Sequence, residues 1–181
     1  MSKNIVVITG SPRKNGNSFA MTDAFIETVK KNGHTVTRFD AAEMNVAGCR
    51  ACNTCFKTGK ACSAGDDFND VAPAIENADV VVLTMPLYWY TYPAQIKAVI
   101  DKFYSFFVGK RDVAGKDCAV LACCEEDDVS VMEGITFPCK HMTALVKWNY
   151  IGEVYVTNVN KAGDIAQTDG ISRVKEFAEK I

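Results

Sequence analysis

The chain has 181 residues, about the length of one domain, and 48% of them are hydrophobic and 23% charged. The formal net charge of −2 gives no electrostatic reason to expect nucleic-acid binding, and no apolar run is long enough to span a membrane. Residues 1–4 lead directly into a predicted strand without a signal peptide. We therefore expect a cytoplasmic protein whose eight cysteines are reduced rather than paired in disulfides.

Strand and helix patterns alternate along the whole chain. They predict strands over 5–8, 35–39, 80–85, 118–123 and 150–156, and helices over 18–32, 71–77, 93–107, 131–147 and 171–180. Asp67 is a predicted N-cap, and Pro138 should end or kink its helix. The alternation predicts one α/β domain over residues 1–181 with the flavodoxin-like three-layer fold, in which helices cover both faces of a five-stranded parallel sheet of order 2-1-3-4-5. A Cys-rich insertion loop is expected at about 45–66.

The turn after the first strand, residues 10–18, reads Gly-Ser-Pro-Arg-Lys-Asn-Gly-Asn-Ser. A small-residue turn between a strand and a helix N-terminus favours anion binding, because backbone N–H groups and the helix dipole face the ligand. Gly10 and Gly16 are expected to supply left-handed backbone angles and close approach. The candidate phosphate ligands are Ser11, Arg13, Asn15, Gly16, Asn17 and Ser18.

The spacing in this turn narrows the ligand. Five residues separate the two glycines and Asn17 stands where a nucleotide P-loop carries lysine, while the dinucleotide pattern G-x-G-x-x-G is absent. ATP, GTP and a Rossmann NAD site are therefore not indicated. A single terminal phosphate, as in flavin mononucleotide (FMN), fits best, and an ordinary polar turn that only caps the helix is the alternative.

Residues 10–18, then Pro86-Leu87-Tyr88-Trp89, then Lys97 with Asp101 stand in an order that resembles the NADPH-dependent FMN reductase family over nearly the whole chain. Lys102 departs from the family, which often has arginine after the aspartate. The resemblance implies an FMN-dependent oxidoreductase that uses NAD(P)H and a small acceptor such as a flavin, a quinone or a nitro- or azo-aromatic. It also implies a homodimer or tetramer.

The resemblance places Pro86, Leu87, Tyr88 and Trp89 along the ribityl chain and isoalloxazine ring of FMN. The alternative is that Tyr88, Trp89, Tyr90 and Tyr92 are interface or surface aromatics, and the two roles are compatible. The loop after the fourth strand should face the same ligand, and of its residues Ala122 and Cys123 are expected close to the ring. The acidic residues 125–128 are expected to be solvated or to cap the next helix.

Cys49, Cys52, Cys55 and Cys62 are spaced C-x2-C-x2-C-x6-C, near the spacing of bacterial ferredoxins. The segment resembles the compact motif of the iron–sulfur flavoproteins, a branch of the same family, and this implies a 4Fe-4S cluster that passes electrons from a ferredoxin-like donor to FMN. A structural zinc and metal-free thiols are the alternatives. The other four cysteines are predicted core residues.

No catalytic side chain is predicted, because a bound flavin would carry the chemistry. His34 and His141 are interpreted as surface or packing residues. Three functions remain open: an NAD(P)H:acceptor oxidoreductase, a ferredoxin-dependent iron–sulfur flavoprotein, and a non-catalytic flavodoxin-type carrier. We expect Ser11→Ala or Asn17→Ala to weaken FMN binding by about 1 kcal/mol per lost donor.

Overall fold

The computed structural model describes all 181 residues, Met1–Ile181. The strands are β1 (Asn4–Thr9), β2 (Thr35–Asp40), β3 (Val80–Pro86), β4 (Asp117–Cys123) and β5 (Asn149–Val156). The helices are α1 (Asn17–Lys31), α2 (Phe68–Glu76), α3 (Ala94–Asp101), α4 (Tyr104–Val108), α5 (Glu133–Leu145) and α6 (Gly170–Ala178). Two 3₁₀ turns cover Val129–Met132 and Asp164–Gln167. No helix combines the length and apolar character that crossing a membrane requires.

All strand pairs are parallel, and the sheet order is β2-β1-β3-β4-β5. The predicted flavodoxin-like fold class and strand order are confirmed. The register places Thr9 beside Thr84, and Pro86 beside Cys123. The carboxyl ends of β1, β3 and β4 therefore meet at one edge, which is where open parallel sheets bind ligands.

Each central strand contributes to two separate cores, because successive side chains point to opposite faces. In β1, Val6 and Ile8 are buried in the core that contains residues of α2, α3 and α5, whereas Ile5 and Val7 are buried against α1 and α6. The continuous apolar run in β1 thus reflects a strand that is covered on both sides, as expected for a parallel sheet.

The single helix predicted over 93–107 is wrong, because the chain forms α3 and α4 with a break at Lys102 and Phe103. At the break the bonds tighten to the 3₁₀ pattern: Lys102 N donates to Val99 O at 3.1 Å, and Phe103 N donates to Ile100 O at 3.0 Å. Both side chains at the break are buried. The tighter turn therefore directs the side chain of Lys102 into the interior. Helical periodicity alone would not predict this position for a lysine.

Of the end or kink predicted at Pro138, the end is wrong, because α5 continues through this proline. Pro138 has no N–H for the carbonyl of Gly134, and the hydroxyl of Thr91 donates to that carbonyl instead, at 3.3 Å. Asp67 occupies the N-cap position of α2, but its carboxylate accepts from the backbone N–H of Asn45 at 2.7 Å rather than capping the helix.

Candidate functional site

A cleft of about 570 Å³ opens at the carboxyl edge of the sheet, and we call it the strand-end cleft. Its volume is in the range of small-molecule and cofactor sites. The walls come from the loops after β1, β3, β4 and β5, and the loops after β3 and β4 are joined by a bond from Leu87 N to Cys123 O at 2.8 Å. The predicted flavin ligands that line the cleft are Ser11, Arg13, Gly16, Asn17, Ser18, Pro86, Leu87, Tyr88, Trp89 and Cys123.

Two predicted ligands do not line the cleft. Asn15 lies in the turn before α1 but is not part of the wall. Ala122 is fully buried, and its side chain belongs to the core on the α5 side of the sheet, whereas that of Cys123 faces the α1 side. The alternation of a strand explains the difference, because two neighbouring residues cannot present side chains to the same face.

The N-terminus of α1 carries unused donors at the cleft. No side chain caps this helix and no acid lies in its first turn. The backbone N–H groups of Asn17 and Phe19 make no hydrogen bond to another backbone group, whereas that of Ser18 lies against the sulfur of Cys123. The hydroxyl of Ser11 accepts from Arg13 N at 3.1 Å and keeps its own proton to donate. These groups match what an anion at a helix N-terminus requires.

The expected left-handed angles at Gly10 and Gly16 are wrong, because neither glycine has a positive φ and φ of Gly16 is −80°. Glycine is needed at both positions because there is no room for a Cβ atom. A Cβ atom on Gly10 would lie 2.8 Å from Cγ2 of Ile96, and one on Gly16 would lie 3.0 Å from the carbonyl oxygen of Arg13. Gly10 thus lets α3 approach the end of β1, and Gly16 lets the loop fold over Arg13.

The loop after β3 ends in a tight hairpin turn. Tyr88 and Thr91 exchange backbone hydrogen bonds at 3.1 and 3.0 Å, and the two residues between them are left-handed, with φ of 46° at Trp89 and 60° at Tyr90. Such turns normally use Asn and Gly, and each side-chain-bearing residue costs about 1–2 kcal/mol in this region. The hairpin is braced against α5, since a Cβ on Gly134 would lie 1.7 Å from the carbonyl oxygen of Tyr90. Trp89 is 94% exposed at the mouth of the cleft.

The loop after β4 contributes thiols and carboxylates to the cleft. Burial raises the pKa of Cys123 to about 12, so this thiol is neutral at neutral pH. Cys124 is buried as predicted for a core residue, yet it also lines the cleft, as do Glu125 and Glu126. Asp128 accepts from Ser130 N at 2.8 Å and caps the following 3₁₀ turn, as the sequence suggested for this acidic run.

Part of the cleft wall was not predicted from the sequence. Tyr90, Val159, Asn160 and Ala162 also line it. The last three follow β5, whose carboxyl end lies at the same edge as the other strand ends. That topological rule alone could have indicated the loop after β5.

The two histidines lie in packing or surface positions, as interpreted from the sequence. Nδ1 of His34 accepts from Lys3 N at 3.0 Å, and the ring of His141 lies 4.4 Å from that of Phe137. Neither histidine lines the cleft.

All four residues of the cysteine motif line a second, smaller cavity of about 80 Å³, which we call the cysteine cavity. Cys49 and Cys52 are exposed, whereas Cys55 and Cys62 are half-buried. No three His, Cys, Asp or Glu side chains in the chain stand close enough together to hold a single metal ion. The four cysteines thus line one cavity without forming the compact ligand set of a mononuclear zinc site.

Lys102 lies at the buried side of the cysteine cavity and is only 3% exposed. Its ammonium forms an ion pair with Asp66 and donates to the sulfur of Cys62 at 3.4 Å. Burial lowers the pKa of Lys102, but the bonds to Asp66 and Cys62 outweigh this and raise it overall, so the lysine stays charged. Asp66 also accepts from Ala47 N at 3.1 Å. A positive charge is thus fixed against one thiol of the motif.

The backbone around the cysteines is strained. Ala51, Asn53 and Phe56 are left-handed, with φ of 50°, 56° and 59°. Asparagine tolerates this region, but alanine and phenylalanine adopt it at a cost. A hydrogen bond from Thr54 lowers the pKa of Cys52 to about 7, whereas burial raises the pKa of Cys55. The segment is thus held at some cost in energy in a conformation in which all four cysteines line one cavity.

The model of the family "NADPH-dependent FMN reductase" matches residues 3–130, and the chain belongs to this family. An iron-sulfur flavoprotein from Archaeoglobus fulgidus is 33% identical over 101 residues, which is 56% of this chain and 46% of that protein. One from Methanosarcina thermophila is 33% identical over 98 residues, covering 54% and 51%. The chain thus spans about half the length of the curated relatives it matches.

Solved structures share the fold. The NAD(P)H:quinone oxidoreductase from Methanothermobacter marburgensis superposes with a TM-score of 0.74 at 18% identity, covering 99% of this chain and 96% of that one. At this identity the likeness concerns the fold alone.

Proposed function

We propose that this protein is an FMN-dependent oxidoreductase that uses NAD(P)H to reduce a small acceptor, of the flavin, quinone or nitro- or azo-aromatic type. The observation that carries the proposal is the strand-end cleft, in which the uncapped N-terminus of α1 and the Tyr88–Trp89 hairpin face one space. Membership of the FMN reductase family supports FMN as the ligand.

The residues of the cleft fit a flavin with a single phosphate. The unused N–H group of Asn17 and the hydroxyl of Ser11 would hold the phosphate without any lysine. Pro86, Leu87 and Tyr88 would lie along the ribityl chain and the ring. When bound, FMN would supply the redox chemistry, taking a hydride from NAD(P)H and giving electrons to the acceptor. The chain's own part is to bind and orient the flavin and, through the neutral Cys123 thiol, to keep negative charge off that part of the wall.

The activity test is NADH or NADPH oxidation by FMN-loaded protein with a quinone and, separately, an azo dye as acceptor. We expect consumption of the nucleotide that scales with bound FMN and requires the acceptor for sustained turnover. FMN-loaded protein that neither nucleotide reduces would contradict the reductase proposal. If it were nevertheless reduced by a strong chemical reductant, the carrier function would be favoured.

A second candidate is an iron–sulfur flavoprotein that receives electrons from a ferredoxin. The cysteine cavity favours it, because Cys49, Cys52, Cys55 and Cys62 surround one space and the ammonium of Lys102 faces it. In a 4Fe-4S cluster each thiolate binds its own iron, so the sulfur atoms need not meet at one point. The positive charge of Lys102 would offset the negative charge of thiolate ligands, and the bound cluster would supply single-electron transfer.

The test of this candidate compares anaerobically purified wild-type protein with Cys62→Ser, and uses Thr58→Ala in the same segment as the control. We expect iron and sulfide in the wild type and in Thr58→Ala, and their loss in Cys62→Ser with FMN retained. Wild-type protein without iron or sulfide under strict anaerobiosis, even after reconstitution, would eliminate the cluster. Reduction of the loaded protein by ferredoxin, but not by NAD(P)H, would favour this function over the first.

We also propose a homodimer or tetramer in which the hairpin around Trp89 is covered, because an almost fully exposed tryptophan on a strained turn is typical of an interface. Sedimentation analysis of wild type and Trp89→Ala tests this. A wild-type monomer at micromolar concentration would contradict it.

A further inference from the structure

Residues 159–162, between β5 and α6, form a wall of the strand-end cleft separate from the loops after β1, β3 and β4. Val159, Asn160 and Ala162 line the cleft together with residues of the turn at 10–18 and of the hairpin turn at 88–91. One side of this segment is fixed to the loop after β4, because Val159 N donates to Cys124 O at 3.0 Å and Asn158 N donates to Glu126 O at 2.9 Å. The segment therefore continues the wall that Cys124 and Glu126 begin.

The other side of the segment is fixed by Asn17, the first residue of α1. Its Nδ2 donates to the carbonyl of Lys161 at 3.0 Å. Its Oδ1 accepts from Gly163 N at 3.1 Å and from Ile165 N at 3.2 Å. Two N–H donors on one side and a carbonyl acceptor on the other fix the orientation of the amide. The side chain that resembled a phosphate donor in sequence is thus committed to the loop after β5.

The same loop holds its own turn closed and leaves one polar side chain unused. Asp164 accepts from the backbone N–H groups of Asn160 and Lys161, at 3.0 and 2.7 Å. The side-chain amide of Asn160 makes no hydrogen bond within the chain and lines the cleft. An amide can both donate and accept, which suits the hydroxyl, carbonyl and ring-nitrogen groups of a flavin.

We propose that residues 159–162 are a fourth flavin-binding segment, in which the side chain of Asn160 binds the ring or the ribityl chain. Asn17 is the positioning residue that fixes this segment against the turn at residues 10–18. This inference rests on the proposed flavin function. It differs from a phosphate role for the Asn17 side chain in one measurable respect. Both FMN and riboflavin make contacts through the ring and ribityl chain, whereas only FMN makes contacts through a phosphate.

The first experiment is amide hydrogen exchange on the flavin-free protein, which does not depend on flavin binding. In Asn17→Ala the amides of Gly163 and Ile165 should exchange faster than in wild type, because their acceptor is gone. Asn17→Asp retains an acceptor oxygen and should keep most of the protection. Equal exchange in wild type and Asn17→Ala would overturn the positioning role of Asn17.

The second experiment titrates FMN and riboflavin into each variant and follows flavin fluorescence. Asn160→Ala should weaken both flavins by the same factor, about 5-fold for one neutral hydrogen bond. Asn17→Ala should also weaken both alike, by about 5- to 30-fold. Ser11→Ala should weaken FMN and leave riboflavin unchanged. Because the side chain of Asn160 is exposed and makes no hydrogen bond within the chain, its variant tests the proposal even if Asn17→Ala folds poorly.

Two results would contradict the proposal of a fourth flavin-binding segment without contradicting flavin binding by the cleft. One is normal affinity of Asn160→Ala for both flavins. The other is a loss of affinity in Asn17→Ala for FMN but not for riboflavin, which would show that the Asn17 side chain binds the phosphate. Absence of binding of either flavin to the wild type is a different failure, because it removes the proposed function itself.

Discussion

The strand-end cleft and the cysteine cavity are built by different means. The cleft lies where strand ends meet in a fixed register, with Thr9 beside Thr84 and Pro86 beside Cys123. The cysteine cavity lies mainly in residues 41–67, which contain no helix or strand, and depends on local turns. Its firmest supports are the buried Lys102–Asp66 pair and the two bonds that Asn69 makes with the backbone of Cys62, at 2.8 and 3.1 Å.

This difference predicts that the strand-end cleft does not depend on the cysteine cavity. A site formed by the sheet edge should persist when the cysteine segment is altered, because the cores on both faces of the sheet hold the strands. The cysteine segment packs on only one of these cores, through Ala61 and the half-buried Phe56 and Cys62, and is otherwise held by strained turns, the Asn69 bonds and one ion pair. It should therefore be stabilised by whatever its thiols bind.

The largest effect is expected for Lys102→Met. It removes the partner of buried Asp66, and an uncompensated buried charge costs about 3–5 kcal/mol. Urea unfolding measures the loss, and Lys102→Met combined with Asp66→Asn should recover part of it. FMN affinity of the folded fraction should stay unchanged. A fall in FMN affinity as large as the loss of stability would show that the two sites are not independent.

An intermediate effect is expected for Gly10→Ala. The new methyl group would meet Ile96 at 2.8 Å and Met85 at 3.2 Å, and overpacking of this kind costs about 1–3 kcal/mol. Because α3 must shift away from the end of β1, FMN binding should weaken as well. Gly48→Ala is the matched control, since no atom lies within 4 Å of its Cβ position and its φ is not positive. Equal unfolding midpoints for the two variants would contradict the packing role of Gly10.

The smallest effect is expected for Ser11→Ala, which removes one neutral donor from the phosphate end of the cleft. FMN affinity should fall about 5-fold, corresponding to roughly 1 kcal/mol, with little change in stability. Asn15→Ala serves as the control in the same turn, because Asn15 does not line the cleft. A titration in which Asn15→Ala loses more affinity than Ser11→Ala would move the phosphate to a different part of the turn.

The sequence was sufficient for the sheet order and for most of the cleft, since alternating apolar runs and a small-residue turn depend on local patterns. It was insufficient where a side chain acts across a long distance in the chain. Asn17 reaches Lys161 and Ile165, and Lys102 enters the interior only because the helix breaks at that point. The side chains of Ala122 and Cys123 face opposite cores, because successive residues of β4 alternate between the two faces of the sheet.

The central claim is that the strand-end cleft binds one FMN per chain without help from the cysteine cavity. Its most direct test is the FMN stoichiometry of anaerobically prepared wild type and Cys62→Ser, measured by titration and visible absorption. We predict one FMN per chain and equal affinity in both proteins. Wild-type protein that takes up no FMN, or a Cys62→Ser variant that folds but has lost its flavin, would contradict the claim.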